Sequence, residues 1–448
     1  MRTRVILSLA LWAATPVLAQ TATETASPAM TALMQTPPPV SGKAYSIEVG
    51  PQRSNYLHAG LVFTTAYNDN VLAGTGTHPV ADSSYSISPA IALDQTTSRL
   101  RQTLEYQPGF TFYQRTSELN AQDQIFDWDL QYRLGPHTTV SARDSFQKSS
   151  NVFGQPYGLS GGAVFGSTPS SLTPVVAPIA DQLRNMANAE LTHQFSRNAM
   201  VGASGVFTNL HYFDPAQVPG LADSNSRGGS AFISYRPAQS QYLGATYQYS
   251  QISASQPGTQ SNGQKASESE IQTHAMLFFF TRYFRSGVSF SLSGGPQYYD
   301  VSQSPFPATR SWTPAAAASV GWQSRRASIA TSYSRLVSGG GGLTGAFDSN
   351  NANLSARWQV ARTWTVAPIA GYSLTKNVSP SMAQSNPGGH MIVGTFAVDH
   401  PIHQQLHLEF GYTHLHQSYS NIAAISSAPD TNREYFALSY QFTKPLGR

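Results

Sequence analysis

Residues 126–134 alternate strictly between large apolar side chains and charged or amide side chains. Because successive side chains of a β-strand point to opposite faces, this pattern predicts a strand with one apolar face and one polar face. In a soluble sandwich the apolar face would meet a protein core. In a membrane barrel it would meet lipid, and the polar face would line a water-filled lumen. The apolar face carries Phe126, Trp128, Leu130, Tyr132 and Leu134, and the polar face carries Asp127, Asp129, Gln131 and Arg133.

Eighteen segments with strand-like alternation follow one another along the chain, separated by clusters of Gly, Pro, Asn and Ser. Each is close to the roughly 9–11 residues with which a tilted strand crosses the hydrocarbon layer of a membrane. The predicted segments are residues 56–68, 84–94, 100–113, 125–134, 138–147, 186–195, 200–211, 229–236, 241–251, 271–281, 287–298, 311–323, 327–336, 351–360, 364–375, 391–399, 405–415 and 434–442.

The links between these segments are alternately short and long. Tight turns such as residues 135–137 and 361–363 alternate with longer links such as residues 212–228 and 337–350. Outer-membrane barrels have short periplasmic turns and longer outside loops, whereas a sandwich has no reason to place a long loop at every second connection. The chain is therefore predicted to be all-β, a transmembrane antiparallel up-and-down β-barrel of about 18 strands.

Five prolines fall inside the predicted strands. A proline removes a donor from the ladder of backbone hydrogen bonds, so we expect bulges or strand ends at these positions. They are Pro89, Pro108, Pro296, Pro314 and Pro368.

The first 55 residues differ in composition from the rest. Arg2 and Arg4 precede a largely apolar run and the short side chains of residues 17–19, which is typical of a secretory signal peptide over residues 1–19. Residues 20–55 are rich in Pro, Thr and Ala, and we expect a flexible periplasmic leader there, followed by the barrel over residues 56–448. Residues 1–19 hold two basic residues and no acid, so the formal net charge of the exported chain falls from +4 to +2.

Charged side chains are scarce in this sequence. Only 11% of the residues are Asp, Glu, Lys or Arg, where a soluble domain has about 25%. A chain this poor in charge is unsuited to a nucleic-acid partner and to an ordinary water-covered surface. The chain contains no cysteine, so it forms no disulfides and no thiolate metal sites. Membrane lipid is the surrounding that this composition favours.

The last predicted strand carries Phe436, Leu438, Tyr440 and Phe442 at every second position, which resembles the C-terminal signal by which bacterial outer-membrane proteins are recognised for barrel insertion. Residues 443–448 follow the aromatic residue that is usually last, a departure from that pattern. Residues 66–71 and 104–113 are similar to porin-like barrel proteins that accompany exopolysaccharide synthesis and export clusters. The resemblance implies an outer-membrane location, recognition by the barrel-assembly machinery, and periplasmic polysaccharide-export components as partners.

A barrel of eighteen strands encloses a space too wide for side chains to fill, so an aqueous channel is expected. Its predicted lining is mostly uncharged, with residues such as Ser86, Thr246, Gln248 and Ser291. The charged members would either form a patch that orients a hydrophilic solute or a ladder of salt bridges that braces the wall. These predicted lining residues are Arg101, Glu105, Asp127, Asp129, Arg133, Arg143, Glu190, Arg357, His407 and Glu409.

The longest link between predicted strands, residues 148–185, contains many apolar side chains and a single acid, Asp181. It is too apolar to lie freely in water. We expect it either to fold into the lumen and narrow it, or to pack as a lid over the mouth. A loop with one acid cannot oppose a basic wall with several carboxylates, so sharp ion selectivity is not expected.

Candidate chemistry beyond transport is weak. No histidine and acid spacing matches a zinc-hydrolase motif, and the sequence has neither a phosphate loop nor a nucleophile elbow. The triplet of residues 68–70, Asn-Asp-Asn, could hold calcium, but Asx residues that close a strand explain it better. We predict no catalytic residue, no cofactor and no metal. The histidines nearest one another are His400, His403, His407, His414 and His416.

Three functions of different class remain open at this point. The first is a passive conduit for hydrophilic, largely uncharged solutes, with an exported polysaccharide as the favoured cargo. The second is a barrel enzyme acting at the cell surface, which would depend on His407. The third is a structural or adhesive barrel with a closed lumen.

Overall fold

The computed structural model describes residues 54–72, 78–149, 181–213, 221–255, 268–303, 306–324, 326–339, 342–379, 388–419 and 429–446. The predicted signal peptide and nearly all of the predicted leader lie outside these ranges. Within them, no helix is long and apolar enough to span a membrane. A 3-10 helix of three residues, Ser117–Leu119, interrupts the strands.

The described residues form one closed sheet of eighteen antiparallel strands. Each strand pairs with its neighbours in sequence, and the last strand pairs with the first, from Tyr56 opposite Pro445 to Asn68 opposite Arg433. The closure removes the free edges that an open sheet would have, as is required where no water can satisfy backbone groups. A stretch of the described chain near one mouth of the barrel, residues 306–315, still lacks a partner on one side. The strands are β1 (Ser54–Asn68), β2 (Asp82–Thr96), β3 (Leu100–Tyr113), β4 (Ala121–Arg133), β5 (Thr138–Ser149), β6 (Gln182–Gln194), β7 (Ala199–Tyr212), β8 (Asp223–Ala238), β9 (Gln241–Ser255), β10 (Glu268–Tyr283), β11 (Val288–Gln303), β12 (Phe306–Gln323), β13 (Ala327–Gly339), β14 (Ala346–Gln359), β15 (Thr365–Asn377), β16 (Gly389–His403), β17 (Leu406–Tyr419) and β18 (Asp430–Pro445).

Many of the exposed side chains of this barrel are large and apolar and many of its buried ones are polar, the reverse of a soluble protein. In β3, Tyr106 is 38% exposed, whereas its neighbours Glu105 and Gln107 are 6% and 1% exposed. The same alternation runs round the ring, because side chains on the outer face have no protein to cover them. Trp312 and Trp358, which lie toward opposite ends of their strands, are 68% and 57% exposed on this face. An outward apolar band flanked by aromatic residues is the arrangement of a membrane-spanning barrel.

The observed strands agree closely with the predicted segments. Each of the eighteen segments overlaps one strand, and the bounds of β3 are those predicted. We call the end of the barrel that carries connections such as residues 239–240 and 404–405 the short-turn end, and the other the long-loop end.

The predicted alternation of short and long links is wrong at one place on the long-loop end. Only residues 304–305 separate β11 from β12, whereas the link over residues 340–345 between β13 and β14 is still longer than each connection at the short-turn end. The strands there continue beyond the apolar band, where outward polar side chains pair with each other. Asp300 and Arg310, for example, form an ion pair of 2.8 Å on the outer face.

The five prolines inside strands do not shift the register, so the expectation of bulges there is wrong. Pro296 lies directly opposite Pro314, and Pro368 lies opposite Phe396. Pro89 and Pro108 fall in a short unpaired stretch between β2 and β3 across which the register is kept. A proline removes one donor without adding a residue, so the ladder loses a bond and keeps its alignment. Register shifts occur instead between Tyr235 and Ala238, Val301 and Gln303, and Pro401 and His403.

Several inward aromatic rings lie against the wall over glycines. Phe279 is directly opposite Gly244, and a Cβ atom on that glycine would lie 2.5 Å from the Phe279 ring. Phe232 lies over Gly202 in the same way. A ring that covers a glycine on the next strand shields its backbone and stabilises the pairing.

The outward apolar band gives a direct test of the fold. Leu292 is 49% exposed on the outer face of β11, and the adjacent Ser291 is half-buried on the inner face. We expect Leu292→Arg to destabilise the barrel in lipid vesicles by about 2–4 kcal/mol, because it places a charge in hydrocarbon. Ser291→Arg is the matched control and should cost much less, since its side chain reaches water. Denaturant unfolding in vesicles measures both. Equal costs would contradict the assignment of the two faces.

Candidate functional site

The inward faces of the strands form a wall with two chemically different sectors. From β7 to β13 the inward side chains are mainly Ser, Thr, Gly and Ala, and charged inward side chains are concentrated on β2–β6 and on β14–β18. In the uncharged sector, hydroxyl groups pair across neighbouring strands. The paired oxygens are 2.8 Å apart in Ser204 and Ser230, 2.7 Å in Ser250 and Thr273, and 3.0 Å in Thr281 and Ser291.

The charged sector on β3–β6 brings some predicted residues together. Asp129 of β4 lies directly opposite Arg143 of β5, so these two charges are neighbours of opposite sign. Glu105 of β3 lies directly opposite Asp127 of β4, so these two carboxylates are neighbours of like sign. Opposite charges across a strand pair stabilise it and like charges destabilise it. The register therefore places one pair of opposite charges and one pair of like charges side by side, and the ladder of salt bridges stays a prediction.

The other predicted charges of this sector lie opposite uncharged residues. Arg101 faces Gln131, and Arg133 faces Thr139. Glu190 lies between Ser141 on one side and Ser204 on the other. These three side chains share the inward face with the others but are not in directly paired positions with an opposite charge. The sector therefore presents both signs of charge to the lumen.

A second polar cluster lies on β14–β18 and contains the predicted residues Arg357, His407 and Glu409. Asp399 of β16 lies directly opposite Glu409 of β17, and both are buried. The Tyr435 hydroxyl donates to the Glu409 carboxylate at 2.7 Å. His407 Nδ1 lies 3.7 Å from the Asp399 carboxylate, and Arg357 is close enough to interact with Asp399 electrostatically. The cluster is a compact polar patch on the wall.

Sequence reasoning missed four buried charged residues at inward positions, Asp82, Asp123, Arg184 and Asp399, and Asp82 lies before the predicted start of its strand at residue 84. Asp123 and Arg184 precede the predicted starts of their strands at residues 125 and 186, because the strands run past the membrane-spanning length. Asp399 was missed because inward residues before it on β16, such as Met391 and Val393, are apolar and hide the alternation.

The β13 strand leaves the wall near the long-loop end. Its pairing with β12 ends at Arg335 opposite Ala316, although β12 extends to Phe306. Within the described residues, the rest of β13 pairs with β14 alone, up to Gly339 opposite Ala346. We call residues 336–339 and 342–347 the mouth hairpin. Leu336, Val337, Ala346 and Phe347 in it are at most 2% exposed.

Two apolar clusters hold the mouth hairpin inside the barrel. Since β7 and β17 lie nearly opposite each other in the ring, the clusters together bridge the mouth at the long-loop end. The first cluster joins Val337 and Ala346 to Ile252, Ile271, Tyr299 and Val301 on β9–β11. The second joins Leu343 and Phe347 to Leu210, Tyr212, Leu221 and Tyr419.

Hydrogen bonds to other parts of the barrel replace the backbone hydrogen bonds that this part of β13 does not make with β12. The Gln297 side chain donates to the Val337 carbonyl at 3.0 Å and accepts from the Val337 N–H at 2.9 Å. Gly345 N–H donates to the buried Ser269 hydroxyl at 3.1 Å. Ala222 N–H donates to the Gly342 carbonyl at 2.8 Å. These bonds satisfy backbone groups of Val337, Gly342 and Gly345, as the burial of a backbone requires.

The mouth hairpin narrows the mouth, and the sequence did not suggest this element. Most of the link over residues 148–185 lies outside the described residues, and neither an inward fold nor a lid is tested there. The segment from Val337 to Asn350, expected to be an ordinary outside loop, supplies the hairpin instead. The signal that could have found it is the apolar pair Leu336 and Val337 next to the glycine run of residues 339–342.

Polar residues at the long-loop end form hydrogen bonds and ion pairs where the strands end. His416 Nδ1 lies 2.8 Å from the Asp430 carboxylate, on the outer face. In the Asn-Asp-Asn triplet, the Asn68 side chain accepts from the Asn70 N–H at 3.0 Å, and Asp69 accepts from the Asn432 N–H at 2.7 Å. These are the contacts of Asx residues that end a strand.

The final strand continues past the aromatic alternation. Phe436, Leu438, Tyr440 and Phe442 fall at alternate positions of β18, and Tyr440 and Phe442 are exposed on the outer face. Beyond them, Thr443 lies opposite His58 and Pro445 opposite Tyr56, so residues 443–445 lengthen the seam with β1. The recognition of this strand in barrel assembly stays a prediction.

No protein-family model matches the sequence, and no curated protein is similar to it. The solved structures that resemble the barrel include the ferric citrate transporter FecA in its unliganded form, at 9% identity and a TM-score of 0.44 over 87% of this chain and 79% of that chain. They also include the siderophore receptor PiuA from Acinetobacter baumannii, at 7% and 0.43 over 88% and 82%. A third is OpdL from Pseudomonas aeruginosa, at 9% and 0.39 over 88% and 99%. Likenesses this low carry no argument about function.

The opposed charges of β4 and β5 allow a quantitative test. We expect a double-mutant cycle of Asp129→Asn and Arg143→Gln to give a coupling of about 0.2–1 kcal/mol that falls as salt is added. Denaturant unfolding in vesicles measures the four proteins. The control cycle combines Asp129→Asn with Arg357→Gln, which lies on a distant strand and should be additive. Equal coupling in both cycles would contradict the register.

Proposed function

We propose that the chain is an outer-membrane channel through which hydrophilic, largely uncharged solutes pass. The single observation that carries the proposal is the polar, mainly uncharged inward wall of β7–β13 in a ring too wide for its side chains to fill. The outward apolar band supports a location in lipid, with the long-loop end outside the cell and the short-turn end in the periplasm. The proposal assigns no catalytic residue, no cofactor and no nucleic acid.

The chemistry of the wall favours a neutral cargo. Each paired hydroxyl, such as those of Ser250 and Thr273, can donate and accept, so the wall offers a hydroxyl-rich solute both kinds of hydrogen bond. The charged sectors carry both signs and would line the lumen without selecting one. In this proposal Arg101, Glu105, Asp127, Asp129, Arg133, Arg143, Glu190, Arg357, His407 and Glu409 all line that lumen.

A polysaccharide leaving the cell is the favoured cargo. A polymer of neutral sugars presents hydroxyl groups along its whole length, which suits a continuous hydroxyl and amide surface better than a single binding site. Periplasmic export components would meet the barrel at the short-turn end, and the barrel-assembly machinery would recognise β18.

Channel recording tests the proposed function directly. In a planar bilayer the purified protein should give discrete current steps, because its polar lumen admits hydrated ions. The ratio of cation to anion permeability should lie near one, since the wall carries both signs of charge. In vesicles, neutral oligosaccharides should enter at rates that fall with their size. Loss of surface polymer on deletion of the gene would support export as the direction. A protein that gives neither current nor sugar entry would contradict the channel.

A further inference from the structure

We infer that the mouth hairpin is a gate that moves between two sites: the lumen, where it closes the long-loop mouth, and the wall, where β13 pairs with β12. The inference rests on the proposed channel function and adds a mechanism of opening to it. The evidence is the point at which β13 leaves the wall, the unpaired stretch of β12 beside it, and the contacts that replace the lost ladder.

The point at which β13 leaves the wall is set by Pro314, and Pro296 has the equivalent effect on the other side of the strand pair. Pro314 of β12 lies opposite Pro296 of β11, and pairing of these strands runs unbroken through both. The N–H donors that the two prolines lack would therefore point away from this strand pair, toward β13 in the case of Pro314 and toward β10 in the case of Pro296. Pairing fails on both sides: β12–β13 ends at Ala316 opposite Arg335, and β10–β11 is interrupted between Ala275 and Phe278. β13 leaves the wall where the donor of Pro314 would be needed.

The side of β12 that faces β13 remains available for pairing with the hairpin. Among the described residues, β12 runs from Phe306 to Ala315 without a partner on the β13 side. If the register of Ala316 opposite Arg335 is continued, Val337 falls opposite Pro314 and Ser338 opposite Thr313. The hairpin can therefore extend the β12–β13 ladder by several residues, short of the one donor that Pro314 lacks.

In the lumen the hairpin backbone makes hydrogen bonds that can substitute for those of the β12–β13 ladder, and only a few residues supply them. Gln297 makes two hydrogen bonds at Val337, where β12 could make only one because Pro314 has no N–H, and Ser269 and Ala222 supply one bond each. Gly342 and Gly345 have φ of 105° and 109°, a conformation that glycine adopts at little cost. A hairpin with glycines at its bend and backbone bonds available at both sites has two discrete arrangements, which is the requirement for a gate.

A reversible disulfide tests the closed site. A Cβ atom on Gly339 would lie 3.8 Å from Cβ of Ile252, the mean separation in disulfides. The chain has no cysteine, so Ile252→Cys with Gly339→Cys introduces the only pair. We expect oxidation to lower the open probability in a planar bilayer at least tenfold and reductant to restore it. The control pair, Tyr247→Cys with Met276→Cys, joins β9 to β10 on the outer face of the wall and should not change gating.

A proline substitution tests the open site. Pro314→Ala restores a donor toward β13, so it should favour the wall site and raise the open probability several-fold. Pro296→Ala is the matched control, because it restores the equivalent donor toward β10 and leaves the gate unchanged. Equal effects of the two substitutions would overturn the inference, and so would equal conduction by the oxidised and reduced disulfide variant.

Replacement of residues 337–346 by a two-residue turn separates failure of the gate from failure of the channel. If the shortened protein conducts steadily and the full chain opens intermittently, the gate is supported. If the shortened protein conducts and the full chain never does, the hairpin is a fixed plug and the gate is wrong. If the shortened protein gives no current although it remains folded, the channel function fails and the gate fails with it.

Discussion

Every part of this molecule depends on the pairing of its backbone N–H and C=O groups. In the membrane location that we propose, lipid offers these groups no partner, so the sheet must close on itself, and β1 pairs with β18 from Tyr56 to Asn68. Closure fixes the alternation of outward and inward side chains, and eighteen strands make the enclosed space too wide to fill. The polar inner wall is the consequence, because the side chains that face this space face water.

The mouth hairpin arises where that pairing cannot be completed. Pro314 has no N–H to give to β13, and the strand turns inward at the adjacent residues. Inside the barrel the Gln297 amide supplies a donor and an acceptor to Val337, so the backbone remains satisfied. Because Pro314 lacks one N–H donor, the apolar residues of the mouth hairpin lie across a lumen whose wall is otherwise mainly polar. The same shortage keeps the alternative site on β12 available.

The strands and their faces could be predicted from the sequence because both follow from near neighbours along the chain. The alternation over residues 126–134 needed no knowledge of partners. The mouth hairpin could not be predicted, since its position depends on contacts with Ile252 and Gln297, which are distant in sequence. It also depends on whether the Val337 backbone pairs with Gln297 or with β12. The predicted strand ends were set by the number of residues that cross the hydrocarbon layer. The strands extend further than this, so Asp123 and Arg184 lay beyond the predicted ends.

The most direct test of this account is a scan of single cysteines along β4 in lipid vesicles, since the chain has none of its own. The account predicts that cysteines at 127, 129, 131 and 133 react with a water-soluble thiol reagent, and that cysteines at 126, 128, 130 and 132 are protected from it and lie next to a quencher dissolved in the lipid. Equal reactivity at all eight positions, or the opposite alternation, would contradict a barrel with lipid outside and a water-filled lumen within.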